Sequence, residues 1–277
     1  MDQIIRDMIK NRSYEDGIFD KRVVHEVFQQ LVLAGLYRSG FFEKAAFYGG
    51  TCLRIFHGLE RFSDDLDFSL YRPDPEFDLS IYFDSIIAEL SAYGCEAEIR
   101  KKKKTRLTFI ESAFLKSDTS IYDIETELQG KITIKIEVDT NPPGGFSTKP
   151  LSLVTPFTFL TPCFTLPNLY AGKMDALLYR KWQNRVKGRD WYDFSWYVRK
   201  GTKLNLDHFN ARAMQTNPDI RQPFSKDAFL DIVRAKIEVT DIAAAREEVL
   251  PFLRDRNIVN DWSREYFLVQ CEHIKFE

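Results

Sequence analysis

The sequence predicts an α+β fold, a mixed sheet in the middle of the chain with flanking helices and a helical module towards the C-terminal end. Three observations carry this expectation. Up to about residue 45 apolar side chains recur at helical spacing, from about 46 to 165 the strand-like runs appear, and from about 166 to 277 helix-rich sequence returns. No internal repeat or low-complexity tract interrupts the order.

In the first zone, "KRVVHEVFQQLVLAGLY" puts Val24, Val27, Phe28, Leu31 and Ala34 on one helical stripe, with Gly35 read as lying just before the helix end. The second zone opens with the apolar run "AAFY", then Gly49 and Gly50, then "TCLRIFHGL", which can begin a helix with Thr51 near its cap. A strand starting near Asp64 in "DDLDFSL" sends Asp65, Asp67 and Ser69 to one face and Leu66, Phe68 and Leu70 to the other. The clearest strand is "KITIKIEVDT", with Ile132, Ile134, Ile136 and Val138 on one face and Lys131, Thr133, Lys135, Glu137 and Asp139 on the other. The "NPPGG" at 141–145 and the stretch from Pro156 to Pro167 read as loops, the latter as the linker.

A helix from about Leu169 would then carry Lys173 and Arg180, seven apart, on nearly the same face, with Met174, Leu177 and Leu178 for packing. Trp182, Trp191, Trp196, Tyr192 and Tyr197 read as core aromatics. "DAFLDIVRAKIEV" and "DIAAAREEVLPFL" read as amphipathic helices that cover the sheet or bind a partner.

Composition narrows the function classes. At 277 residues and 44% hydrophobic content the chain can bury a substantial core. Cys52, Cys95, Cys163 and Cys271 are scattered without a CxxC pair, which suggests neither a zinc site nor a disulfide framework and points to a reducing cytoplasm. The charged start "MDQIIRDMIKNRSYEDG" does not read as a signal peptide, and no apolar run approaches the roughly 20 residues of a membrane helix. A formal charge of -2 excludes a generally basic nucleic-acid coat and leaves room for a local positive groove. The run "RKKKKTR", Arg100 to Arg106, reads either as a solvated strand edge or as a phosphate contact.

The chemistry concentrates in two strands. Asp65 and Asp67 share a face about 7 Å apart along the strand, and such carboxylates repel unless something cationic sits between them. If the Glu137 strand pairs beside them with the apolar faces on one core, Glu137 completes a three-carboxylate set for Mg²⁺, with Asp139 as the competitor. The bare turn at Gly49 and Gly50, with the Thr51 hydroxyl, is suited to cradle phosphate at a helix start.

These residues resemble the polymerase β-like nucleotidyltransferases, and within them the AbiEii/AbiGii toxin branch. "GGTCLRIFHGLERFSDDLDFSL", "IKIEVD" and "AGKMDALLYRKWQNRVKGRDWYDFSWYV" carry the likeness, which covers about residues 45 to 200. It implies a nucleotidyltransferase domain with N-terminal helices over 1–165 and a helical C-terminal domain over 166–277. It further implies that Gly49, Gly50, Thr51 and Lys135 bind nucleotide, that Asp65, Asp67 and Glu137 hold Mg²⁺ or Mn²⁺, and that Lys173 and Asp190 complete the catalytic set. Asp193 satisfies the same pattern as Asp190. Arg54, Arg61 and Ser63 would support the phosphate turn or the acids, and His57 would be structural. The implied reaction is transfer of NMP from an NTP to RNA, with a tRNA 3′ end as the expected acceptor, by the toxin of a bacterial toxin–antitoxin or abortive-infection system. Its antitoxin need not touch it. Transfer to a protein hydroxyl, or nucleotide binding without turnover, would leave much the same residues.

Overall fold

The computed structural model describes residues 3–11, 21–101, 119–126, 132–180 and 186–277. They form two compact units: Met1–Phe56, Ser63–Pro142 and Thr148–Cys163 in the first, and His57–Phe62, Pro143–Ser147 and Phe164–Glu277 in the second.

The first unit is built on a mixed sheet. In chain order its elements are α1 (Gln3–Lys10), α2 (Lys21–Arg38), β1 (Ala45–Tyr48), α3 (Gly49–His57), β2 (Asp65–Leu70), α4 (Phe83–Ala92), β3 (Ala97–Lys101), β4 (Thr119–Thr126), β5 (Ile132–Asp139), β6 (Thr148–Leu153) and β7 (Phe159–Phe164), with 3₁₀ turns at Phe41–Glu43 and Leu79–Tyr82. The seven described strands run β3-β4-β5-β2-β1-β7-β6. The β2–β5 and β1–β7 pairs are parallel, whereas β1–β2, β3–β4 and β4–β5 are antiparallel. This is the α+β, mixed-sheet architecture that the sequence predicts.

The period-2 pattern of β5 becomes a burial pattern: Ile132, Ile134, Ile136 and Val138 are buried while the residues between them are not. On β2, Leu66 and Phe68 are buried, and the Phe68 ring meets Phe41 at 4.9 Å and Phe47 at 5.1 Å. Helix α2 is buried nearly all round from Val27 to Leu36, wider than a single stripe, as expected for a helix packed on several sides.

Of three expectations from the sequence, one needs correction. Gly35 lies inside α2, which continues to Arg38; a Cβ there would come within 2.8 Å of the Ile86 Cα on α4, so close helix approach and not termination explains the glycine. The stretch from Pro156 to Pro167 is no linker, since β7 occupies its centre and pairs Cys163 with Phe47. Pro162 hides there a burial alternation through Phe159, Thr161 and Cys163. The basic run falls mostly outside the described residues, of which only Arg100 and Lys101 extend β3.

The second unit is helical: α5 (Leu166–Tyr179), α6 (Gly188–Arg199), α7 (Leu206–Thr216), α8 (Lys226–Val239), α9 (Ile242–Val249) and α10 (Arg264–Glu272), with 3₁₀ turns at Leu250–Phe252 and Arg256–Val259. The short strands β8 (Lys203–Leu204) and β9 (Lys275–Phe276) pair in parallel. Phe229, Val233 and Ile237 recur every four residues along the buried face of α8. Trp191, Tyr192, Trp196 and Tyr197 are buried as expected, with Tyr197 stacked on Tyr170 at 4.4 Å; Trp182 lies outside the described residues. Arg180 is the C-cap of α5, its backbone N–H still donating to the Ala176 carbonyl at 3.1 Å while its ψ of 119° leads the chain out of the helix. All four cysteines are buried and none is in a disulfide. No described helix is long and apolar enough to cross a membrane.

Candidate active site

The glycine turn and the acid strand meet directly. Antiparallel pairing sets Tyr48 across from Asp67, and the chain then turns at Gly49 with φ +80°. A Cβ at Gly49 would lie 2.2 Å from Asp67 Oδ2 and 2.9 Å from Asp67 Cβ, so both the backbone sign and the packing require glycine. Helix α3 begins at Gly49, two residues before the cap expected at Thr51. Thr51 is fully buried and its hydroxyl donates to the Asp65 carbonyl, which ties the helix start to β2.

Parallel pairing of β2 and β5 sets Asp65 across from Lys135, Asp67 across from Glu137 and Ser69 across from Asp139. Asp65, Asp67, Lys135 and Glu137 are half-buried on the face opposite the apolar one. Lys135 Nζ lies 2.7 Å from Glu137 Oε1. Asp139 is engaged elsewhere: its Oδ1 accepts the Asn141 N–H at 3.1 Å where the strand ends. The register therefore favours Glu137 as the acid facing Asp67. Among the described residues no three His, Cys, Asp or Glu side chains converge as a ready metal-binding group. The donor chemistry still fits a hard divalent cation, because Asp65, Asp67 and Glu137 offer carboxylate oxygens from one face.

Side chains from α2 and α3 hold this face. Buried Gln29 donates through Nε2 to the Ser63 and Asp64 carbonyls at 3.0 and 2.9 Å, fixing the entry to β2. Arg54 pairs with Glu26 at 2.7 Å and anchors α3 to α2. Gln29 escaped the sequence reading, although a polar residue within an apolar run was a usable signal.

In the second unit Lys173, Asp190, Asp193 and Arg61 form one ion-pair network. Lys173 Nζ lies 2.8 Å from Asp190 Oδ1 and 2.9 Å from Asp193 Oδ2. Arg61 grips Asp193 with two parallel bonds, Nε to Oδ1 and a terminal nitrogen to Oδ2, both 2.6 Å. Its other terminal nitrogen donates to the Phe62 carbonyl at 2.9 Å. Burial favours protonation of Asp193, but Arg61 and then Lys173 outweigh it and hold its pKa below the usual carboxylate value. Burial likewise opposes the charge on Lys173, yet Asp190 and Asp193 together hold its pKa above the ordinary lysine value. Asp193 is 0% exposed with both oxygens engaged, whereas Asp190 is 8% exposed. The geometry thus separates an anchoring acid, Asp193, from one nearer the surface, Asp190. Glu248, which accepts the Arg189 backbone N–H at 3.2 Å, completes the start of α6 and carried no sequence signal.

A mixed sheet in which a glycine turn presses on an acid-bearing strand, with a second acid-bearing strand paired beside it, belongs to the nucleotidyltransferases. Solved structures share this fold. MenT4, a nucleotidyltransferase toxin from Mycobacterium tuberculosis H37Rv, aligns over 97% of this chain and 92% of its own with TM-score 0.57 and 15% identity. JHP933 from Helicobacter pylori aligns over 91% and 89% with TM-score 0.52 and 15% identity. The chain belongs to the AbiEii family, described as nucleotidyl transferase AbiEii toxin of type IV toxin–antitoxin systems, which matches residues 31–268. It is a nucleotidyltransferase of that toxin family. Among curated proteins none matches the chain.

Proposed function

We propose that this toxin transfers a nucleoside monophosphate from an NTP to the 3′ hydroxyl of an RNA, with tRNA as the acceptor, in the cytoplasm. The observation that carries the reading is the register of Asp67 against Glu137, with Asp65 on the same face and Gly49 packed on the Asp67 carboxylate. Asp65, Asp67 and Glu137 would hold Mg²⁺ or Mn²⁺, which when bound supplies the positive charge that stabilises phosphoryl transfer. The turn at Gly49 and Gly50 presents main-chain N–H groups to phosphate with no side chain in the way. The acceptor oxygen forms a bond to the α-phosphorus while the bond to the β-phosphate oxygen breaks, and pyrophosphate leaves. By the family likeness Lys173 is assigned as a phosphate contact and Asp190 as the acid that positions it. Lys173 is suited to this role because its neighbours keep it charged. A cognate antitoxin that need not bind the toxin completes the system.

Incubating the purified protein with each α-phosphate-labelled NTP and total bacterial RNA, beside Asp67→Ala, tests the reading. Label in a tRNA-sized band only with the unmutated protein is the expected result. Label on protein would replace RNA by a protein hydroxyl as acceptor, and equal labelling by Asp67→Ala would remove the acid face from the mechanism.

A further inference from the structure

Lys135 is on the acid face for a reason that nucleotide binding alone does not supply. Residues two apart on a strand share a face, so Lys135 and Glu137 lie side by side on β5 while Asp65 faces Lys135 across β2. The ammonium is 2.7 Å from Glu137 Oε1, a hydrogen-bonded ion pair. While that oxygen accepts the ammonium it is a poorer ligand for a divalent cation, and a positive charge beside Asp65 and Glu137 repels a second one.

We propose that Lys135 is a built-in competitor for the divalent cation at Glu137, giving up that carboxylate when a nucleotide triphosphate offers the ammonium another anion. The inference rests on the nucleotide-site reading above. Three features support it. The two side chains are 30% and 24% exposed, so the pair is partly hydrated and exchanges at small cost. A lysine is a compact charge on a flexible stem that can turn from one anion to another, which an arginine fork would do less readily. Asp67, the residue facing Glu137, is in van der Waals reach of the Gly49 turn, so a triphosphate on that turn arrives beside the acids that Lys135 neutralises. Metal and nucleotide then enter together, and the acid face is kept from binding a cation tightly by itself.

Mn²⁺ binding to the full chain, followed by water-proton relaxation without nucleotide, tests this without reference to turnover. Lys135→Met should bind Mn²⁺ about fivefold more tightly than wild type, the factor expected for removing one partly exposed ion pair. Lys135→Arg, which keeps the charge, should match wild type. In a Glu137→Gln background the gain from Lys135→Met should fall below about twofold, because the competed ligand is gone. Equal Mn²⁺ affinity for wild type and Lys135→Met, with binding still lost in Asp67→Asn, would overturn the role of Lys135 and leave the site standing. Undiminished binding by Asp67→Asn would overturn the site and this inference together.

Discussion

Gly49 and Asp67 are so close that no side chain fits at 49 without moving the Asp67 carboxylate. An alanine at Gly49 must accept a φ of +80°, which costs about 1 kcal/mol, and must push aside a carboxylate whose Cβ is 2.9 Å from the new methyl carbon. Displacing a reacting group by about 1 Å costs on the order of 100-fold in rate. Gly49→Ala should therefore lose at least that much labelling activity while its melting temperature falls only a few degrees, a split that parallel assays would show. The two acids of α6 invite the opposite comparison. Asp193→Asn removes one partner from a buried network and should cost about 3–5 kcal/mol of stability, because Arg61 and Lys173 would stay charged without it. Asp190→Asn, at 8% exposure on the outer side of the network, should cost less, about 1–3 kcal/mol, and act also on turnover. Urea unfolding of the two variants, read beside their labelling rates, distinguishes anchor from positioning acid; a reversed order would exchange the roles.

Where one rule governs an element, the sequence makes it legible. β2 and β5 were both readable from period-2 alternation, and their side-by-side register follows because a slip of one residue would bury Asp67 or expose Ile136. β7 is hidden, since Pro162 interrupts the alternation that burial restores, and Pro156 and Pro167, the latter in the first turn of α5, resemble loop punctuation. Arg180 shows the limit at a helix end, where a residue still bonds to the last turn while its backbone already leaves it. Gly35 lies in the last turn of α2 as expected, and only the Ile86 backbone beside it reveals a crossing point. Helix packing makes this testable. A methyl group 2.8 Å from the Ile86 Cα and 3.1 Å from the Ser85 carbonyl oxygen cannot be accommodated by rotating a side chain, so α2 and α4 must move apart. Gly35→Ala should destabilise the protein by about 1–3 kcal/mol despite the better helix propensity of alanine. An unchanged or raised denaturation midpoint would show that the crossing is not tight.

The pH response of the whole molecule follows from groups buried in different ways. His208 on α7 is 1% exposed beside the rings of Phe146 and Phe164, and its Nδ1 lies 3.1 Å from the Gly144 carbonyl oxygen. Burial, reinforced by Arg212, pushes its pKa down to about 4 from the ordinary 6.5. The sign is then fixed: between those values the unfolded chain takes up a proton that the folded one refuses, so stability falls as pH falls through this window. From pH 6.5 to 5 the loss is about 2 kcal/mol, at about 1.4 kcal/mol per unit. The acid network acts elsewhere. Asp193, with its pKa lowered, contributes stability that is lost only once pH falls below its unfolded value near 3.8, and Lys173, with its pKa raised, contributes stability lost only as pH rises above 10.5. Between pH 6.5 and 5 His208 thus contributes a fall in stability, and the Asp193 and Lys173 pairs do not. The three described tryptophans, Trp191, Trp196 and Trp262, lie in the second unit, so their fluorescence follows the unfolding of the part that contains His208. Urea titrations at pH 7 and pH 5 should show wild type losing about 2 kcal/mol between them and His208→Gln, which cannot take up the proton, losing markedly less. Equal losses would mean that His208 titrates alike in the folded and unfolded chains, and its burial would then have no bearing on acid stability.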